Sequence, residues 1–568
     1  MSSKSRSSST ETRPLLASPR PCSYRTLDNE EPRTPDSEEA EPPVNKVSRS
    51  DLVWILAGLW SAVFLGALDG TIVATLLAPI GSYFEKSNQS SYIGTSYLLS
   101  VCCFTPLYGR LSDILGRKGA MLLGLSLFGS GTVLCGLAPS MEALIFARAI
   151  AGMVSSVAVT DLIPLKQRGL YQGMANILFG LGAGLGGPIG GWFNDAFGWY
   201  VRHLQAPILV FSFILVAVKV NIKLPFEVEN QSVSEKLRRM DFLGSLTLVG
   251  TVGSLLLGFS LKSTEELPWS HPLIWGLFIG SGVFAVLFVS VEKYWASSPI
   301  MPLRLITQRT PLAVSLANFT TSVSGFSMVS TIILTRRRPL FDTGVFPKYF
   351  SAVRMSSSSN AGMHLLPHSV ALSIGSVFAG WSVMMRRTGK LYLLTMASAG
   401  LPVLSSLLIV FWNGNTSQFH LWADIIPQGF GIASLITSTL IAMITSVTKE
   451  DMPVATGITY LFRTTGQVLG VSLSGAVVQA VLAKKLRARI QGPGSNPVCL
   501  LPASMSCQML IRSVSRHSTS VIPTLDPPLR QAAVDSYADA LRVVFICQVA
   551  INVITLLLTM PIQENPLP

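Results

Sequence analysis

The feature that most constrains this chain is the recurrence of long apolar runs separated by short polar loops. They cover residues 52–80, 92–107, 120–137, 143–165, 172–193, 204–220, 242–261, 273–291, 311–335, 362–385, 391–411, 421–444, 455–482 and 540–560. Each is close to the roughly 20 apolar residues that carry a helix across a bilayer. Only 13% of the 568 residues are charged and 49% are hydrophobic, with a mean hydropathy of +0.48; soluble domains carry about 25% charged residues. A polytopic, all-helical membrane protein with about fourteen crossings is the expected architecture.

Loop charge sets the orientation. Arg117, Lys118, Lys166, Arg168, Lys236, Arg238, Arg239, Arg304, Arg309, Arg386, Arg387 and Lys390 fall in alternate loops, which the positive-inside rule makes cytoplasmic. An even number of crossings puts both termini there. The net charge of +13 is accounted for by these loops and calls for no nucleic acid. Glycosylation sequons at Asn88 and Asn415 land in loops expected to be lumenal, whereas those at Asn230 and Asn318 do not, so the sequons add little to the topology. Residues 1–50 are rich in Ser, Pro, Glu and Arg and too poor in apolar residues to fold, so a disordered cytoplasmic tail is expected. Its stretch Glu11-Thr-Arg-Pro-Leu15-Leu16 is similar to an acidic dileucine sorting signal read by adaptor complexes at vacuoles, lysosomes or endosomes.

Between the second and third runs lies Tyr108-Gly-Arg-Leu-Ser-Asp-Ile-Leu-Gly-Arg-Lys-Gly119. Gly109 and Gly116 suit a tight turn between helices, and Arg110, Asp113, Arg117 and Lys118 bring charge that must be solvated or paired. The first run carries Leu68-Asp-Gly-Thr-Ile-Val-Ala-Thr-Leu-Leu-Ala-Pro79, with Asp69 deep in an apolar stretch. The fourth opens with Arg148-Ala-Ile-Ala-Gly152, and a guanidinium there needs an acidic or carbonyl partner. The fifth carries Gly180-Leu-Gly-Ala-Gly-Leu-Gly186-Gly-Pro188-Ile-Gly190-Gly191, whose small residues let helices approach closely and whose proline bends the helix.

Together these stretches resemble the major facilitator superfamily. The loop is similar to its signature between the second and third helices, the fifth run to its antiporter motif (Gly182, Gly186, Pro188, Gly190, Gly191), and the first run to the fourteen-helix drug:proton antiporter branch. Within that branch the fungal vacuolar basic amino acid transporters look most similar, on stretches such as Thr160-Asp-Leu-Ile-Pro-Leu-Lys-Gln-Arg-Gly-Leu-Tyr-Gln-Gly173. Tyr460-Leu-Phe-Arg-Thr-Thr-Gly-Gln467 extends the resemblance toward the C-terminus. The resemblance implies a six-helix bundle at 51–222, two extra helices in a linker at 223–309, and a second bundle at 310–561 with a long lumenal loop at about 484–539, before a short tail at 562–568. Two features depart from the family pattern: a short fourth run, and Arg336, Arg337 and Arg338 inserted on the expected lumenal side.

The implied function is secondary active transport, with proton-coupled antiport of basic amino acids into the vacuole as the leading expectation and drug or toxin efflux at the plasma membrane as its rival. A non-transporting nutrient sensor is a third class. The implied partners are a cationic amino acid or drug, protons, the lipid bilayer and a sorting adaptor at the tail, with the protein acting as a monomer. Carboxylates able to alternate between a cationic side chain and a proton are Asp69, Asp161 and Asp424, with Arg148 associated with coupling in the family. Arg463 and Gln467, one turn apart, suit a substrate carboxylate. Asp113 and Arg117 are expected to join an ion-pair network holding the cytoplasmic gate. No nucleotide-binding glycine loop, catalytic triad or metal-ligand spacing occurs among the seven cysteines and six histidines, so neither an enzyme nor a cofactor is expected.

Overall fold

A computed structural model of the chain describes residues 49–84, 86, 89–153, 171, 173–186, 189, 206–219, 241–264, 267, 269–296, 301–332, 366–384, 391–412, 416–448, 451–491 and 527–563, all within one structural unit, Asn45–Pro568. The N-terminal tail with Glu11, Leu15 and Leu16, and Asn88, Asp161, Pro188, Gly190, Gly191, Arg336–Arg338 and Asn415, lie outside the described residues.

Helices, whole or partial, overlap every apolar run, and no strand occurs among the described residues. In chain order they are α1 (Arg49–Tyr83), α2 (Ser90–Gly136), α3 (Met141–Gly152), α4 (Gly173–Gly186), α5 (Ala206–Lys219), α6 (Phe242–Thr264) and α7 (Pro272–Tyr294). Then follow α8 (Arg309–Ile332), α9 (Leu366–Met384), α10 (Leu391–Val410), α11 (Ile426–Thr445), α12 (Met452–Gln491) and α13 (Pro527–Thr559). Among the described residues, eight segments are long and apolar enough to cross a membrane. Local chemistry sets several starts. The Ser140 side chain accepts from the Ala143 amide at 3.2 Å to cap α3, and Asp241 accepts from the Gly244 amide at 2.7 Å at the head of α6.

The segment expected as a loop at 108–119 is instead helical almost throughout, so the second and third runs belong to α2 and turn at one residue, Gly116, with φ 76 and ψ 159. That backbone region is essentially open to glycine alone and costs about 1–3 kcal/mol for other residues. Gly116→Ala should therefore lower both thermal stability and transport of the purified protein, while Gly94→Ala, where an added Cβ meets nothing within 4 Å, should change neither. Equal melting temperatures for the two variants would show that the turn tolerates a side chain.

Glycine contacts reveal a repeat that the sequence barely displays. On α4, a Cβ at Gly182 would lie 2.5 Å from the Phe64 carbonyl oxygen of α1, and one at Gly186 would lie 2.8 Å from that of Leu68. On α12, Gly466 and Gly470 press in the same way on the carbonyls of Phe319 and Val323 of α8. Gly152 of α3 sits on the Tyr97 carbonyl of α2, as Gly429 of α11 sits on the His368 carbonyl of α9. Two glycines four residues apart thus join equivalent helix pairs in both halves, as expected of bundles related by an axis along the membrane normal. This register places Asp69 opposite Ser324, and Tyr97 opposite His368.

The halves meet along two seams. At one, the Cys102 thiol of α2 lies 3.1 Å from the Thr465 hydroxyl of α12. At the other, the Asn176 amide of α4 donates to Ser376 of α9 at 2.7 Å, and Ser376 lies 2.8 Å from Thr437 of α11. Helix α6 covers the first seam, burying Leu248, Val252 and Leu256 with Cys102, Val323, Leu461 and Val468. Helix α6 therefore packs onto the contact between the bundles, and α7 packs on α6 through Phe288.

The loop expected at 484–539 is shorter at both ends. Helix α12 runs on to Gln491 and α13 begins at Pro527. Asp539 holds the two extensions together, 3.0 Å from Arg489 and 3.3 Å from Lys485.

Candidate functional site

Asp69 and Arg148, 79 residues apart in sequence, form a buried ion pair. The Arg148 Nη1 donates to Asp69 Oδ2 at 2.5 Å, and the two side chains are 3% and 1% exposed. Arg148 Nε donates to the Ile93 carbonyl at 3.4 Å, and its guanidinium carbon stands 4.4 Å above the Tyr97 ring. Around the pair lie Leu65, Leu68, Ile72, Ile93, Leu144 and Ala147, all buried. Within such apolar walls each charge is tolerated only because the other is present, and removing one partner of a buried pair costs about 3–5 kcal/mol.

Small residues bring the pair together. Gly152, one turn beyond Arg148, lets α3 lie against the α2 backbone at Tyr97. Gly182 and Gly186 of the antiporter motif let α4 press on the turn of α1 that precedes Asp69. The Thr71 hydroxyl is turned to the backbone, donating to the carbonyls of Ala67 at 3.2 Å and Leu68 at 3.1 Å, so it leaves the Asp69 carboxylate to Arg148. Asp69 is accordingly a paired carboxylate, and its expected direct contact with a substrate cation requires Arg148 to yield.

Asp424, the third candidate carboxylate, is buried although it lies near the end of its apolar run. It is 6% exposed, accepts from the Trp412 indole at 2.9 Å, and lies 3.2 Å from His420 Nδ1. The Ser405 hydroxyl also donates to its main-chain carbonyl. It ties the end of α10 to the short helical turn Gln418–Ala423 and to α11, a structural clasp at the bundle rim.

Arg463 and Gln467 are half-buried on one face of α12 together with Tyr460, whose ring lies 5.9 Å from the Arg463 guanidinium. Among the described residues neither reaches Asp69. In the stretch 108–119, Gly116 is the turn and Lys118 is half-buried, while the side chains of Arg110, Asp113 and Arg117 lie outside the described residues, as does the setting of Gly109. Among the described residues no three metal-ligating side chains cluster.

Sequence reasoning missed Tyr97, which reads as an ordinary aromatic on an apolar helix, and the Ile93 carbonyl, which no side chain advertises. It also missed the polar chain Asn176–Ser376–Thr437; polar residues recurring on three separate apolar helices were the available signal.

Comparison with known proteins bears on this arrangement. The family model for the Major Facilitator Superfamily matches residues 59–471. The multidrug resistance protein fnx1 of Schizosaccharomyces pombe is 35% identical over 86% of this chain and 88% of its own length. The vacuolar membrane amino acid uptake transporter fnx2 of the same organism is 32% identical over 81% of this chain and 79% of its own. The vacuolar basic amino acid transporter 1 of Saccharomyces cerevisiae is 31% identical over 79% and 83%. Among solved structures, the human organic anion transporter MFSD10 superposes with a TM-score of 0.53 at 15% identity, covering 90% of this chain and 99% of that one.

Proposed function

Because the chain belongs to the major facilitator superfamily, as the match over residues 59–471 shows, we propose that it is a proton-coupled antiporter that moves basic amino acids into the vacuole. The observation that carries this reading is the Asp69–Arg148 pair, buried inside the first bundle and held by the antiporter-motif glycines. A proton on Asp69 would cancel its charge and leave Arg148 a bare cation, still braced by the Ile93 carbonyl and the Tyr97 ring. Such a charge repels a lysine side chain about 8 Å away by about 2 kcal/mol at an effective dielectric of about 20. Proton and cationic substrate then exclude each other, which is sufficient for exchange.

Relatives named as vacuolar amino acid transporters support the substrate and the membrane. A second reading, efflux of drugs across the plasma membrane, draws on the 35% identity to a multidrug resistance protein. Reconstitution into liposomes with an acidic interior separates the two. Labelled lysine, arginine or histidine should accumulate and leak out when a protonophore collapses the gradient. Accumulation of cationic dyes with no movement of amino acids would establish the efflux reading instead.

A further inference from the structure

We propose that Arg463, with Tyr460 and Gln467, forms a carboxylate-binding subsite on α12, so that substrates must carry a free carboxylate. This deepens the amino acid reading above and rests on it for the remainder of the substrate.

The three residues fall within about 60° of one another around the helix. Gly466 and Gly470 are turned to the α8 backbone. Leu461, Thr464 and Val468 are turned to α2 and α6, where Thr464 meets Cys102 and the other two join the apolar seam. The half-buried stripe of Tyr460, Arg463 and Gln467 occupies the face between those two contacts. Helices α8 and α2 come from opposite bundles, so this face looks toward the space where the halves adjoin.

Arg463 differs from Arg148 in one decisive respect. Arg148 has a carboxylate at 2.5 Å; among the described residues Arg463 has the Tyr460 ring and no carboxylate. A guanidinium cannot shed its proton, and inside a membrane protein such a charge marks a substrate or ion pathway by default. Packing does not require it. The glycine register aligns Gly466 with Gly182, which puts Phe179 at the place of Arg463 and Ala183 at that of Gln467, and α4 still makes the same close contact with α1. The charge is therefore an addition to one half of a repeated frame. A guanidinium binds a carboxylate through two parallel N–H donors, and the half-buried Gln467 amide one turn away supplies a further donor. The Tyr460 ring lies beside the guanidinium, 5.9 Å from it.

Purified full-length protein tests this by ligand-induced thermal shift, with lysine, norleucine, lysine methyl ester and 1,5-diaminopentane as probes. Lysine should bind at least about tenfold more tightly than the ester or the diamine, the loss expected when a charge-assisted hydrogen-bonded pair is removed. Arg463→Gln should weaken lysine binding and abolish that discrimination, while Arg463→Lys should retain part of it. Equal binding of the diamine and lysine to the unmutated protein would overturn the subsite, as would undiminished lysine affinity in a folded Arg463→Gln. If that variant does not fold, the probe comparison on the unmutated protein decides alone. Norleucine binding as well as lysine would uphold the subsite and remove the preference for basic side chains. Binding confined to carboxylate-free cations would overturn both.

Discussion

Replacing Asp69 by Asn should abolish gradient-driven accumulation of lysine, with a loss of at least about 100-fold, which corresponds to about 3 kcal/mol. The substitution keeps the shape and removes the one charge that faces Arg148 at 2.5 Å. Arg148 would then be a buried cation facing, among the described residues, the Ile93 carbonyl and the Tyr97 ring. Stability should fall by about 3–5 kcal/mol, the cost of orphaning one member of a buried pair. Loss of transport in the single variant could therefore follow from misfolding, and the double variant Asp69→Asn/Arg148→Gln resolves this. The double variant leaves no uncompensated charge within the apolar walls, so thermal stability should recover toward that of the unmutated protein. Transport should not recover, because no group remains there to take a proton. Lysine accumulation by the double variant at normal rates would place the coupling carboxylate elsewhere.

How much of this arrangement is legible in the sequence depends on whether a property is local or relational. Apolar runs are local, and a helix lies at each of them. Asp69 and Arg148 are visible as ionisable residues in apolar surroundings, since such residues are rarely idle. Their pairing is relational: no periodicity in α1 or α3 reports that these helices are neighbours, and 79 residues separate the partners. The Gly116 turn shows why the expected loop is mostly helix, because a single residue in a glycine-only conformation reverses the chain and leaves the flanking turns helical. Asp424 misleads for the opposite reason. Its distance from a run's end says nothing of Trp412 and His420, which fold over it from twelve and four residues away. The internal repeat is faint because the charged residues of one half have uncharged counterparts in the other, with Ser324 at the place of Asp69 and Phe179 at that of Arg463. What survives is backbone contact, which only glycine records.

That surviving contact supports the second large effect. Gly466→Val should eliminate transport and lower the melting temperature by several degrees, as Gly182→Val should in the other half. At Gly182 an added Cβ already falls 2.5 Å from the Phe64 carbonyl oxygen, and the Phe319 carbonyl is placed likewise over Gly466. Both obstacles are backbone, so no rotamer change can relieve them. The helices must part, at an overpacking cost of about 1–3 kcal/mol or more. In α12 the separation would also swing Arg463, three residues before Gly466, away from the face it shares with Gln467. Alanine at either glycine should give an intermediate loss, and the two halves should respond alike, because the repeat makes their contacts equivalent. Gly457 and Gly276 serve as controls, since a Cβ at either meets nothing within 4 Å, and their alanine variants should match the unmutated protein. Intact transport in Gly466→Val with loss confined to Gly182→Val would mean that only the antiporter-motif contact stays closed during the cycle. The bundles would then move by different means despite their common frame.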